Sequence, residues 1–366
     1  MKFEIDREEF LKPLQAVIGV VERRQTLPVL SNVLVVAEGN TLSLTATDLE
    51  VELAARCEAS IEEPGRITLP ARKLMDIVRN LPTAVRIRLA VEEDKAHIVA
   101  ARSRFTLATL PANDFPLVDV IDDGQTLALP QHQLLALIER THFSMALQDV
   151  RYYLNGLLLE LDGNTVRAVA TDGHRLALSE TQIAAGMEGQ RQVIVPRKGV
   201  QELLRLLSDA EDEVQVELGS NHIRISLPDI KFTSKLIDGR FPDYQRVIPT
   251  HADKVMLVDR ENLRQALVRV SILSNEKYRG VRFDISSHEL RIVSNNPEQE
   301  EAEEEIAVEF SGDHLEIGFN ASYLVDAISA IDEEQVEMAF TDANSSCLIS
   351  GHNNTVSKYV VMPMRL

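Results

Sequence analysis

A carboxylate, an imidazole and a guanidinium stand together at Asp172-Gly173-His174-Arg175, and an aspartate beside a histidine is the raw material of a general-base pair. The chain itself argues against that chemistry. Asp48 and Asn295 occupy the equivalent place in two other stretches of similar pattern without a histidine, so Asp172 is expected to shape a turn. A hydrolase built on Asp172 and His174 is the weaker reading. The sequence has no G-x-x-x-x-G-K-[ST] phosphate loop, no G-x-G-x-x-G, no H-E-x-x-H, no G-x-S-x-G and no C-x-x-C. No catalytic residue, metal site or cofactor is therefore expected.

What remains is binding chemistry. Arg197, Gln201 and Arg205 fall at i, i+4 and i+8, and Arg72 with Arg79 and Arg260 with Arg264 repeat the theme. Such helix faces are either solvated surface or a contact to phosphates that reads no base. Arg23, Arg24 and the pair Tyr152-Tyr153 beside Arg151 add cations and rings suited to stacking. Glu298 to Glu305, EQEEAEEE, concentrates six glutamates in eight residues. Lys73, Arg102 and Arg104 form a basic counterpart near the other end of the chain, with Ile77 and Phe105 beside them and Ile272-Leu273 near the acidic run. Complementary ends with an apolar centre suggest a head-to-tail association that closes on itself. The C-terminus, YVVMPMRL, reads as a terminal strand, Tyr359 to Met364, whose two methionines offer an adaptable surface for peptides.

The elements that carry these residues repeat. Leu157, Leu159 and Leu161, an Asp162-Gly163-Asn164 turn, then Val166, Ala168 and Ala170 read as a hairpin. Versions of it lie at Leu27 to Cys57 and downstream of Lys277, with Asp48, Asp172 and Asn295 about 124 residues apart. A first helix is expected at Asp6 to Gly19 with Asp6 as N-cap, at Gln131 to His142, and at Arg260 to Leu273 behind Asp259. A second helix shows one apolar stripe three times: Leu74, Ile77, Val78 and Leu81; Val200, Leu203, Leu204 and Leu207; Leu324, Ala327, Ile328 and Ile331. Strands close each repeat. The predicted class is α+β, three repeated domains at 1–122, 123–250 and 251–366, each with two helices against antiparallel sheet.

The 366 residues are 45% hydrophobic, ample for three cores, and no apolar run is long enough to cross a membrane. The charged N-terminus MKFEIDREEF lacks a leader's apolar segment, which points to the cytoplasm. Cys57 and Cys347 are read as buried thiols without a framework role. A net charge of -19 argues at first against nucleic acid. Its distribution matters more: the nets are -4, -4 and -11 over residues 1–122, 123–250 and 251–366.

The segments LPVLSNVL, TDLEVEL, SMALQDVRYYLNG, VATDGHRLA, VPRKGV, FTSKLIDGRFPDY, SNEKYRGVR, NNPEQEEAEE and YVVMPMRL, spread from Met1 to Leu366, resemble the beta subunit of bacterial DNA polymerase III, the sliding-clamp family. The resemblance implies three clamp domains per chain and a head-to-tail homodimer that forms a six-domain ring with helices lining the hole. It also implies a non-catalytic processivity factor, loaded by a clamp loader, that encircles double-stranded DNA without reading sequence. Its further partners would be the replicative polymerase alpha subunit and other polymerases and repair proteins bearing clamp-binding peptides.

Carried over residue by residue, the resemblance places DNA near Arg24, Gln148, Tyr152 and Tyr153, to which the helical arginines Arg197 and Arg205 are added from their spacing. It places a peptide cleft at Leu154, at Thr171 and Gly173 through Leu176 with His174 and Arg175, and at Pro242, Arg246 and Val247. The same cleft would take in Asn320, Tyr323, Ser346, Val360 and the tail Met362, Pro363, Met364 and Arg365. Ring closure would use Lys73, Ile77, Arg102 and Phe105 with Arg104 beside them, against Ile272, Leu273, Glu298, Glu300, Glu301 and Glu304. The chain departs from a relative's pattern at Leu147, where that relative has a histidine, and at Asn344, where it has an apolar residue; no contact is carried over to Leu147.

Overall fold

The computed structural model describes residues 1–21, 27–118, 124–184 and 189–365. Among the described residues six α-helices form where the apolar stripes predict them: α1 (Arg7–Val17), α2 (Ala71–Asn80), α3 (Gln131–Glu139), α4 (Arg197–Leu206), α5 (Arg260–Val270) and α6 (Ala321–Ser329). Leu74, Val78 and Leu81, then Val200, Leu203 and Leu207, then Leu324, Ala327, Ile328 and Ile331 are all buried, while Ile77 and Leu204 are half-buried at the stripe's margin. The helix starts differ from expectation in one respect. Asp259 caps α5 by accepting the Asn262 N–H at 2.8 Å, but Asp6 makes no side-chain cap to α1. The α1 stripe, through Phe10, Leu14 and Val17, is enough to seat that helix.

The strands pair antiparallel in four sheets, and the sheets do not follow the repeats one to one. The chain forms two compact units, Met1–His132 with Gln201–Leu236, and Gln133–Val200 with Ile237–Leu366. In the first unit, an eight-stranded sheet runs Gln125–Pro130, Glu213–Leu218, His222–Ser226, Ile230–Lys235, Val51–Glu58, Thr41–Thr47, Asn32–Glu38 and Gly65–Pro70. Its middle joint sets Phe232 opposite Leu53 and Ser234 opposite Val51. Four strands thus come from the first repeat and four from the second. In the second unit, a nine-stranded sheet is joined likewise, Ala177 lying opposite Tyr359 and Arg175 opposite Val361. The repeats share their sheets: the Val51–Glu58 edge of the first is covered by a strand of the second, and the Arg175–Gln182 edge of the second by a strand of the third.

The two smaller sheets end in open edges. The first unit's five-stranded sheet terminates at Ser103–Ala108, and the second unit's four-stranded sheet terminates at Glu301–Ala307. The terminal strand also stops earlier than expected, at Val361: the Met362 N–H still reaches the His174 carbonyl opposite it at 2.9 Å, and Pro363 has no N–H to carry the pairing further.

Candidate functional site

In the second unit, the apolar outer face of the strands Gly156–Asp162, Thr165–Thr171, Arg175–Gln182 and Gln190–Pro196 carries Leu158, Val169, Leu176, Leu178 and Ile194. Phe241, Tyr244, Val247 and Ile248, from the segment leading to the third repeat, pack over them. Where that cover stops, a cavity of about 150 Å³ opens, lined by Arg151, Leu154, Thr171, Gly173, Arg175, Leu176, Pro242, Tyr244, Val247, Val360 and Met362. A volume of this size accepts one large apolar or aromatic side chain.

Asp172 builds the rim. One carboxylate oxygen accepts the N–H of His174 at 2.8 Å and of Arg175 at 3.0 Å, and the other meets the Arg175 guanidinium at 3.1 Å. With both oxygens committed and the His174 side chain exposed, the pair is a turn and not a general-base dyad. Gly173 adopts φ +90°, which the turn requires. Arg175 is the hub. It pairs with Asp326 at 2.6 Å, donates to the Phe143 carbonyl at 2.6 Å and lies 4.4 Å above the Tyr323 ring. Burial first, then the nearby Asp172, pushes the Tyr323 phenol above its ordinary range, so at neutral pH the ring offers its neutral face to the cation.

Of the predicted cleft residues, Leu154, Thr171, Gly173, Arg175, Leu176, Pro242, Val247, Val360 and Met362 converge on this cavity. The others lie outside its lining. Asn320 caps α6 by accepting the Ser322 N–H at 2.9 Å, Tyr323 sits under Arg175, and the Met364 N–H reaches the Gly318 carbonyl at 2.9 Å. Arg246 is exposed and pairs with Asp243 at 2.8 Å, His174 and Arg365 are exposed, and Ser346 and Pro363 are half-buried. Two lining residues were missed. Arg151 was read only as a cation beside two tyrosines, and Tyr244 was not singled out at all. Asn344, the departure noted above, is exposed and donates its N–H to Asp342.

The basic and aromatic residues divide. Gln148 is exposed at φ +57° in a loop that also exposes Leu147, Val150 (95%) and Tyr152 (56%), and Tyr152 meets the half-buried Tyr153 edge to face, 5.8 Å between centroids. Arg24 lies outside the described residues. The helical arginines are less free than their spacing implies. Arg205 donates to the Gln15 and Ala16 carbonyls at the end of α1, and Arg197 donates to the Met145 carbonyl at 3.2 Å. Both guanidinium groups are thus partly committed to backbone carbonyls, Arg205 to those in the last turn of α1. Of the two thiols, Cys347 is buried but Cys57 is only half-buried, and burial pushes Cys57 up to about 11, so it is a thiol and not a thiolate at neutral pH.

At the open edges, Lys73, Arg102 and Arg104 are exposed, Ile77 and Phe105 half-buried, and Leu107 buried. Along Glu301–Ala307, Ala302, Glu304 and Ile306 lean inward while Glu301, Glu303 and Glu305 are exposed. Glu304 is already paired with Arg269, and Glu303 with Arg291 at 2.5 Å. Glu298 and Glu300 are exposed, as is Ile272 (72%), and Leu273 is half-buried.

Three family profiles match in order: the N-terminal domain of the DNA polymerase III beta subunit over residues 1–119, its central domain over 128–243 and its C-terminal domain over 245–365. The chain belongs to the DNA polymerase III beta subunit family. Among curated relatives, the beta sliding clamp of Pseudomonas putida is 58% identical and that of Escherichia coli 50% identical, each over all of both chains. Among solved structures, the DNA polymerase III subunit beta of Pseudomonas aeruginosa is 57% identical with a TM-score of 0.98, covering all of both chains. The same protein has been crystallised bound to griselimycin, with a TM-score of 0.97 to this chain. The chain is accordingly a sliding clamp built of three clamp domains, an accessory processivity subunit of replication and not a catalytic one.

Proposed function

We propose that two copies of this chain close head to tail into a ring around duplex DNA and hold partner proteins by short peptides in the cavity beneath Arg175. The observation that carries the reading is the pair of open edges. Each internal joint brings together one strand of the Ile230–Lys235 type and one of the Val51–Glu58 type, and the chain keeps one unused strand of each type, Ser103–Ala108 and Glu301–Ala307. Phe105 corresponds by repeat spacing to Phe232 and Tyr359, and Ala302 to Leu53 and Ala177. On that register Phe105 of one copy would lie opposite Ala302 of the next, Arg104 opposite Glu303 and Thr106 opposite Glu301. Opposite charges meet on facing strands, and Ile77 and Phe105 lie ready for Ile272 and Leu273, with Lys73, Arg102 and Glu298 at the rim. A heterologous contact of this kind, repeated twice, closes.

The domains would be 1–122, 123–250 and 251–366, six in the ring. Duplex DNA would pass near Arg24, Gln148, Tyr152, Tyr153, Arg197 and Arg205, held weakly enough to slide, because a net-acidic chain limits salt-dependent adhesion. The replicative polymerase alpha subunit, the clamp loader and other polymerases and repair proteins would dock by peptides in the cytoplasm. The griselimycin-bound relative favours a peptide-like occupant for the cavity. The test is topological: once loaded, the protein is expected to stay on closed circular DNA and to slip off linear DNA with free ends. Equal retention on both refutes enclosure.

A further inference from the structure

The cavity owes its outer wall to a segment that is not part of any sheet, and a row of polar side chains holds that segment down. Four strands carry the row at matched register: Gln192 opposite Glu160, Glu160 opposite Arg167, and Arg167 opposite Glu180. It crosses an otherwise apolar face, two residues along each strand from Ile194, Leu158, Val169 and Leu178. Glu160 is 1% exposed. A carboxylate so deeply buried is costly unless fully bonded, and it is fully bonded: Gln192 donates to one oxygen, Arg167 and the Tyr244 hydroxyl to the other, the last at 2.8 Å. Arg167 also donates to the Tyr244 oxygen at 3.1 Å and to Glu180 at 2.9 Å. Tyr244 belongs to the short turn Tyr244–Arg246 between Pro242 and Val247, both of which line the cavity.

Burial alone would raise the Glu160 carboxyl, but the Gln192, Tyr244 and Arg167 contacts outweigh it and hold it below its usual range. Tyr244 is raised, first by burial and then by its bond to Glu160. Charged acceptor and neutral donor therefore coexist throughout the neutral range.

We infer that Glu160, Arg167 and Tyr244 are positioning residues for the peptide cavity: they fix the Pro242–Val247 wall in the shape that receives a partner's side chain. The inference rests on the cavity being the peptide site. A fixed wall means that nearly all free molecules are competent to bind, whereas a loosened wall reduces affinity by the competent fraction alone. The signature is kinetic. Loss of the anchor slows association and leaves dissociation from the closed complex unchanged.

The experiment uses the full-length protein and griselimycin, with association and dissociation followed by surface plasmon resonance. Tyr244→Phe keeps the ring packing and removes the hydroxyl; Glu160→Gln keeps the size and removes the charge. Each is expected to raise Kd about tenfold, a 1.4 kcal/mol change, carried by the association rate, with sedimentation and melting profile retained. Met362→Glu is the control for the cavity itself and is expected to abolish binding. If griselimycin ignores Met362→Glu, the cavity is not its site and the peptide reading falls. If Met362→Glu abolishes binding while Tyr244→Phe and Glu160→Gln leave Kd unchanged, or act on dissociation alone, the cavity stands and the positioning role is overturned.

Discussion

Replacing Thr106 by proline tests the proposed ring at one hydrogen-bonding position. The Thr109 N–H donates inward to the Asp94 carbonyl at 2.9 Å, so in that antiparallel ladder residues 107, 105 and 103 also point their N–H groups inward, and Arg104 and Thr106 point theirs outward. On the facing edge the Val308 N–H donates to His288 at 3.1 Å, which leaves Glu301 and Glu303 pointing outward. The register puts outward residues against outward residues, Arg104 with Glu303 and Thr106 with Glu301, as a ladder requires. Proline at 106 removes the donor, and its ring keeps the Glu301 backbone at a distance. Two hydrogen bonds are lost per joint, at roughly 1 kcal/mol each. A closed dimer contains the joint twice, so the loss is about 4 kcal/mol, or roughly 10³-fold in the dimer dissociation constant. The monomer should tolerate the change because proline is accepted on an edge whose N–H faces outward. Analytical ultracentrifugation over a concentration series reads the shift directly. Thr106→Pro protein that is folded by circular dichroism yet dimerises like the parent would refute both the register and the pairing.

Two further outcomes follow from the same geometry. Replacing Ile272 and Leu273 together by alanine removes the exposed Ile272 and half-buried Leu273 side chains, neither of which belongs to the second unit's core cluster, so the sedimentation coefficient is expected to shift toward monomer; unchanged mass removes both from the interface. Asp149 is pulled down to about 2, first by the Arg151 side chain and then by the Arg151 N–H. A depressed carboxyl contributes stability above its unfolded value and loses it only as pH falls toward the folded one, so the loop carrying Gln148 and Tyr152 should keep its arrangement from neutral pH to below about pH 4. Carboxyl NMR should find the Asp149 midpoint near 2, and a midpoint near 4 would mean the Arg151 contact is not formed.

The helices were legible because each needs only one face to be apolar, and a stripe such as Val200, Leu203 and Leu207 reports that face locally. The hairpin strands were legible for the same reason. The joints were not. Phe232 pairs with Ile225 of its own repeat on one side, and that Leu53 takes its other side depends on which edge is left open, a non-local fact that alternation does not encode. Within the cavity, Leu154, Leu176 and Val360 came through resemblance, but Tyr244 did not. A signal existed: Glu160, Arg167, Glu180 and Gln192 interrupt strands that are apolar two residues away, and charged residues at positions patterned for burial require partners. Arg205 misled in the opposite sense. Its spacing on α4 looked like a free cationic face because sequence spacing says nothing about the α1 carbonyls that it reaches.

The shared sheets also bear on why the chain places its functions where it does. A joint between repeats brings together two strands from distant parts of the chain, and the connecting segment that follows must cross the outer face of one of them. In the second unit that crossing segment is Ile237–Ile248, and it packs over the strands up to the joint, where Leu176 and Val360 belong to the same apolar cluster. The uncovered remainder is the cavity. In the first unit the corresponding joint, Val51–Glu58 with Ile230–Lys235, is flanked by Asp48, whose carboxylate accepts the Glu50 and Val51 N–H groups as Asp172 does for His174 and Arg175. The turn is therefore common to both joints and cannot by itself make a binding site. What distinguishes the second joint is the Arg175 hub, where the first has Val51, together with Met362, which lines the cavity where the first joint has the exposed Lys235. The proposed binding site thus lies where the repeat is broken, and the residues that break it are the ones to substitute first.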